Sequence, residues 1–200
     1  MKQRRTLTTI HLDRATHWLR KVLPEPLEPF ETIGYTGPRD IRYPILIAAA
    51  AQLERKLLVP GPRLILAAQE LLVEKTRCKF WLFAPPFEDV VRTVANKKFD
   101  WDLDVLEVPD SDFFLDPEKV VDVEWKKTWE ESKDTPCVVV HTSGSTGLPK
   151  PAVWTHQALM LLDAGKLMPE YSADTCCVEN HLAGRRWYCP MPMLHVSISL

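Results

Sequence analysis

Residues 141–151 read His-Thr-Ser-Gly-Ser-Thr-Gly-Leu-Pro-Lys-Pro, directly behind the apolar run Cys137-Val138-Val139-Val140. A strand that feeds a loop of glycines and hydroxyl residues suits an anion. Small residues let backbone N–H groups approach from several sides, and such concave nests bind phosphate oxygens. The hydroxyls of Thr142, Ser143, Ser145 and Thr146 add donors. Gly144 and Gly147 permit backbone angles that strain other residues. Lys150 supplies a mobile positive charge suited to a polyphosphate. A Walker loop would need G-x-x-x-x-G-K-[ST]. Here the glycines are three apart, and Leu148-Pro149 separate the second from Lys150. Pro149 and Pro151 also oppose an immediate helix start. The chemistry is phosphate binding by a loop of another kind.

The surrounding sequence predicts alternating helices and strands. Leu12, Ala15, Trp18, Leu19 and Val22 recur at helical spacing, predicting a helix over Thr6 to Leu23 that Pro24 and Pro26 stop. Glu31 to Tyr35 reads as a strand ended by Gly37-Pro38. Asp40 is expected to cap a helix from Ile41 to about Lys56. Leu57 to Val59, Cys78 to Phe83 and Leu103 to Val108 read as strands. Leu64 to about Lys75 and Phe87 to Lys97 read as helices. Asp100 to Glu131 is acidic and aromatic, and reads as a surface connection with short helical pieces. Val138 to His141 is a buried strand, and Thr155 to Met168 a helix. The implied fold is α/β, a mostly parallel sheet flanked by helices.

Bulk properties exclude several classes. The chain has 200 residues, net charge -2 and pI near 6.3, which argues against a nucleic-acid or anionic-membrane partner. No uncharged stretch reaches the ~20 residues of a membrane span. The five cysteines fit no disulfide framework or zinc pattern, so a reducing, cytoplasmic setting is expected. Cys137 reads as a buried thiol. Cys176-Cys177 with His181 lacks a second ligand pair, so no metal site is assigned.

Thr142 to Lys150 resembles the phosphate-binding loop of adenylate-forming enzymes: acyl-CoA synthetases, luciferases and the adenylation domains of nonribosomal peptide synthetases (NRPS). Pro151 in place of the usual glycine, with His141 before the loop and Thr155-His156 after it, is similar to the fungal NRPS-like adenylating reductases. Gly37-Pro38-Arg39-Asp40-Ile41-Arg42-Tyr43-Pro44 and Trp125-Lys126-Lys127-Thr128-Trp129 resemble further segments of that group. So do Gly184-Arg185-Arg186 and Pro192-Met193-Leu194-His195. The likeness runs from about Thr6 to Leu200. Departures fall at Leu53-Glu54-Arg55-Lys56, at Pro60-Gly61-Pro62-Arg63-Leu64 and at Val196-Ser197-Ile198.

The resemblance implies activation of a carboxylic acid by ATP, giving an acyl-adenylate and pyrophosphate. Thr142, Ser143, Gly144, Ser145, Thr146, Gly147 and Lys150 would hold the β- and γ-phosphates. His195 would stand near the carboxylate or the wall of the acyl pocket, and His156 would cap or pack the helix after the loop. ATP with magnesium is the implied cofactor set, the magnesium ligand lying outside this chain. A phosphopantetheine carrier is implied only if the full-length protein has one. Residues 1–200 are then expected to be part of one adenylation domain, its N-terminal subdomain, incomplete at the C-terminus. The C-terminal half, carrier and any reductase are expected elsewhere. The apolar run Trp187 to Leu200 is expected to need those parts or a partner chain as cover. The catalytic set is not complete here, and the chain alone is not expected to catalyse acid-dependent ATP–pyrophosphate exchange. The alternative is a truncated, non-catalytic remnant with at most weak nucleotide binding.

Overall fold

The computed structural model describes residues 8–61, 63–116, 125–143 and 148–164. Among them six strands form one sheet: β1 (Glu31–Thr36), β2 (Arg55–Leu58), β3 (Phe80–Phe83), β4 (Asp104–Glu107), β5 (Pro136–Ser143) and β6 (Pro149–Thr155). Their order is β4-β3-β1-β2-β5-β6. β1 to β5 run parallel, and β6 returns antiparallel to β5 at one edge. Seven helices accompany them: α1 (Thr9–Val22), α2 (Arg42–Gln52), α3 (Leu66–Thr76), α4 (Glu88–Ala95), α5 (Ser111–Leu115), α6 (Trp129–Ser132) and α7 (His156–Ala164).

Both faces of the sheet are covered, which is why Phe80 to Phe83 of β3 and Cys137 to Val140 of β5 read as unbroken apolar runs. Successive side chains point to opposite faces. Ile33, Tyr35, Leu57, Phe80, Leu82, Val138 and Val140 pack with α1 and α2 on one side. Leu58, Trp81, Phe83 and Val139 pack with Leu72, Val73, Val91 and Val94 of α3 and α4 on the other. The expected mostly parallel α/β sheet is therefore present, with its charged residues at the strand ends.

Four local expectations need correction. The helix expected to reach Lys56 stops at Gln52. Glu54 turns the chain at φ 53°, its carbonyl accepts the Phe30 N–H at 2.8 Å, and Arg55 and Lys56 enter β2. Extended pairing there sets Arg55 beside Glu31, which a helix could not do. Asp40 does not occupy the N-cap position, which Ile41 takes. Its carboxylate instead accepts the Arg42 N–H at 3.0 Å and grips the Arg42 guanidinium. The Asp100 to Glu131 segment is more than a surface connection. The expected strand (β4) and a short helical piece (α5) are both present, but α5 is not confined to the surface: it buries Phe114 edge-on against Trp18 at 6.0 Å while Arg14 donates to the Phe113 and Phe114 carbonyls. Finally, β6 was not anticipated. Prolines at alternate positions remove donors from one edge of a strand only, which an outermost strand tolerates.

Candidate functional site

β5 and β6, which flank residues 144–147, form a β-hairpin. β5 and β6 pair from Pro136↔Thr155 through to Ser143↔Pro149. The parallel β2–β5 register ends at Leu58↔Val139, with one further bond from the Val59 N–H to the Val139 carbonyl, and Val140 is still buried in the core, so residues 141–143 extend past the body of the sheet, held laterally by β6. At ~3.3 Å per residue, that stem projects roughly 10 Å. Thr142 and Lys150 are Cα partners across it, and both are exposed. Directly opposed residues share a face with Cβ atoms ~5 Å apart. The register thus brings together a hydroxyl and an ammonium that lie eight residues apart in sequence. Ser143 ends β5. Gly144, Ser145, Thr146 and Gly147 lie outside the described residues, as does His195. The same holds for Cys176, Cys177, His181 and the Trp187 to Leu200 run.

The hairpin leaves the carboxyl end of the parallel strands, the edge at which α/β sheets take ligands. Two neighbouring loops share that edge. After β1, the residues of the Gly37-to-Tyr43 motif satisfy one another. The Tyr43 hydroxyl accepts the Gly37 N–H at 3.3 Å and donates to the Gly37 carbonyl at 3.2 Å. Arg42 binds Asp40 through Nε and Nη2, at 3.1 and 2.7 Å, and donates to the Pro109 carbonyl at 3.3 Å. Tyr35 and Tyr43 meet edge-on at 4.7 Å. Burial pushes both phenols upward, so they stay protonated and act as packing groups. The motif is a brace for the β1–α2 junction. Gly37→Ala should expose how tight it is, since a Cβ there would sit 2.1 Å from the Tyr35 hydroxyl. A loss of about 1–3 kcal/mol in a urea melt is expected; an unchanged midpoint would contradict the brace.

After β2, the loop Pro60-Gly61 lies against β5. His141 Nε2 accepts the Gly61 N–H at 3.1 Å. The sequence marks His141 as the residue before the loop but gives it no partner. His156 does what the sequence suggested. It opens α7 and packs on Trp125 at 5.9 Å, while Thr155 Oγ1 accepts the Ala158 N–H at 3.2 Å as the cap. Burial, aided by Lys127, lowers the His156 pKa, so its ring is neutral at neutral pH.

Burial also pushes the Cys78 thiol up to about 12 and the Cys137 thiol up to about 11. Neither offers a thiolate near neutral pH. Among the described residues, no three His, Cys, Asp or Glu side chains gather as a metal site. A groove of about 720 Å³, walled by Ile47, Ala48 and Ala51 of α2, by Trp125 and Trp129, and by Leu159 of α7, opens near Cys137. Cys137 lies at the start of β5, one residue after Pro136, and the hairpin mouth ends it, so groove and mouth lie at opposite ends of the strand, roughly 20 Å apart.

The chain resembles known proteins in sequence and in fold. The AMP-binding enzyme family matches residues 2–198. The chain is 29% identical over 160 residues to the isocyanide synthase-NRPS hybrid crmA of Aspergillus fumigatus, covering 79% of this chain and 10% of that protein. It is 30% identical over 189 residues to a carboxylic acid reductase of Neurospora crassa, covering 93% and 18% respectively. The chain thus spans less than a fifth of either relative. The N-terminal domain of FACL13 from Mycobacterium tuberculosis superposes with a TM-score of 0.69 over 95% of this chain and 44% of that one, at 16% identity. That likeness establishes a fold shared with that N-terminal domain.

Proposed function

We propose that this chain, which belongs to the AMP-binding enzyme family, supplies the phosphate-holding part of a carboxylic-acid-activating adenylation domain. The observation that carries the reading is the pairing of Thr142 with Lys150 across an exposed hairpin mouth at the carboxyl edge of the sheet. A hydroxyl donor and a flexible cation on one face fit the β- and γ-phosphates of ATP, with backbone donors supplied by Ser143 to Gly147.

In the reaction, a carboxylate oxygen of the acid attacks the α-phosphorus. The bond from that phosphorus to the bridging oxygen breaks, and pyrophosphate leaves with the electron pair. Catalysis at the phosphates is positioning and charge neutralisation. Lys150 offsets charge that grows on the departing pyrophosphate, and Thr142 donates to one of its oxygens. His195 is assigned to the carboxylate side. Magnesium, when bound, supplies further neutralisation, and we place its ligands outside the described residues.

The two fungal relatives support an acid substrate and an NRPS-like setting. We therefore assign residues 1–200 to one adenylation domain of a longer, cytoplasmic, secondary-metabolic enzyme. Its acyl-adenylate passes to a phosphopantetheine carrier when one is present. The test is calorimetric titration with ATP. Lys150→Ala removes a charged hydrogen bond, a class of change that costs about 1.5–3 kcal/mol. Binding should weaken by roughly 10–100-fold. A chain that does not bind ATP, or a variant that binds it equally well, would reject the assignment.

A further inference from the structure

We infer that His141 is a positioning residue, whose imidazole ties the β2–α3 loop to the hairpin stem and so fixes where Thr142 and Lys150 stand. The inference rests on the reading of the hairpin as a phosphate loop.

Four observations carry it. The parallel ladder between β2 and β5 continues one step past Leu58, with Val59 N–H donating to the Val139 carbonyl at 3.0 Å. The next donor on that side, two residues on, is Gly61, and the residue it meets is His141, also two residues on. The acceptor at this rung is the ring Nε2, at 3.1 Å. Second, Pro60 and Pro62 have no N–H, so Gly61 carries the sole backbone donor of that tripeptide. Third, glycine allows the approach: a Cβ on residue 61 would lie 3.2 Å from Nε2 and 3.7 Å from Cε1. The carbonyl of the same residue accepts the Leu64 N–H at 3.0 Å and turns the chain toward α3. Fourth, the residue opposite His141 on β6 is Pro151.

Geometry sets the direction of action. Adjacent strand residues point to opposite faces. His141 therefore reaches behind the stem toward Gly61, while Thr142 and Lys150 share the other face. Accepting at Nε2 places the ring proton on Nδ1. The ring works as a neutral strut for the stem, and the charge at the mouth comes from Lys150.

The test compares the full chain with His141→Leu, His141→Gln and Gly61→Ala, using ATP alone in calorimetry and amide hydrogen exchange of the peptides covering residues 59–64 and 136–143. Gln can present its amide oxygen close to where Nε2 stands. Losing one neutral hydrogen bond of ~1 kcal/mol predicts about fivefold weaker ATP binding in His141→Leu. Both peptides should also exchange faster. His141→Gln should restore both readouts to within about twofold of the parent. Gly61→Ala approaches the contact from the other side and should match the Leu variant. It decides the matter if His141→Leu does not fold. Equal loss in the Leu and Gln variants would make His141 a cation facing phosphate and overturn the inference. So would unchanged exchange in all three. If the parent chain fails to bind ATP, the phosphate-loop reading falls, and exchange alone judges the strut: fast in Leu and protected in Gln upholds it, while equal rates refute it.

Discussion

Glu31→Ala is expected to cost about 3–5 kcal/mol of folding stability, the loss seen when one partner of a buried ion pair is removed. Glu31 opens β1 and is 8% exposed, and Arg55, its pairing partner on β2, is 1% exposed. The Glu31 carboxylate accepts from Arg55 Nη1 at 3.0 Å and from Lys79 Nζ at 2.7 Å, joining the starts of β1, β2 and β3. Burial lowers the Arg55 pKa, and Glu31 is the main charge that opposes this, with a smaller contribution from Glu25. Without it the guanidinium stays buried with the Pro24 carbonyl and the Phe80 ring, neither of which carries charge. Lys79 is partly exposed and contributes less. Exposed pairs such as Arg92–Glu88 are a useful contrast, since their removal should cost under about 1 kcal/mol. Urea unfolding followed by circular dichroism measures both. A Glu31→Ala loss no larger than that of Glu88→Ala would contradict the buried-triad account.

Trp81→Ala is expected to cost a similar amount, about 3–5 kcal/mol, for a different reason. Trp81 is fully buried in β3, and its ring occupies the space that Gly34 leaves open on the neighbouring strand. A Cβ on residue 34 would lie 3.2 Å from Trp81 Cγ. Removing the indole opens a cavity that the strands on either side cannot close. It also ends the bond from Nε1 to Thr36 Oγ1 at 3.1 Å. Trp81→Phe separates the two effects, because it keeps most of the volume and loses the bond. It should fall well short of the alanine variant. Equal losses for the two would show that the hydrogen bond, not the volume, carries the energy.

These two residues show what a linear sequence reveals. Strands buried on both faces are conspicuous, so β3 and β5 were legible from their apolar runs, while β1 was marked by the Gly37-Pro38 that ends it. Periodicity placed α1, α3 and α4 within a few residues. The end of α2 was hidden because Leu53-Glu54-Arg55-Lys56 contains good helix formers. What stops the helix there is a contact across 24 residues, Arg55 with Glu31. β6 was hidden because proline argues against strands in general, and only its edge position reverses that.

The candidate site divides the same way. Composition exposed the anion chemistry of residues 142–150, and spacing ruled out a Walker loop. Neither could pair Thr142 with Lys150, which needs the hairpin register. Neither could give His141 a partner, because Gly61 lies 80 residues earlier. The Gly37-to-Tyr43 motif was visible through its resemblance to a segment of the adenylating group. Its internal bonds explain why those types are needed without any contact to a substrate.

The central claim is that the hairpin mouth holds the outer phosphates of ATP. Phosphorus-31 NMR of ATP titrated with the chain tests it most directly. The account predicts selective broadening of the β- and γ-phosphorus signals, largely abolished by Lys150→Ala. Unbroadened spectra, or broadening that survives unchanged in the Lys150→Ala variant, would contradict it.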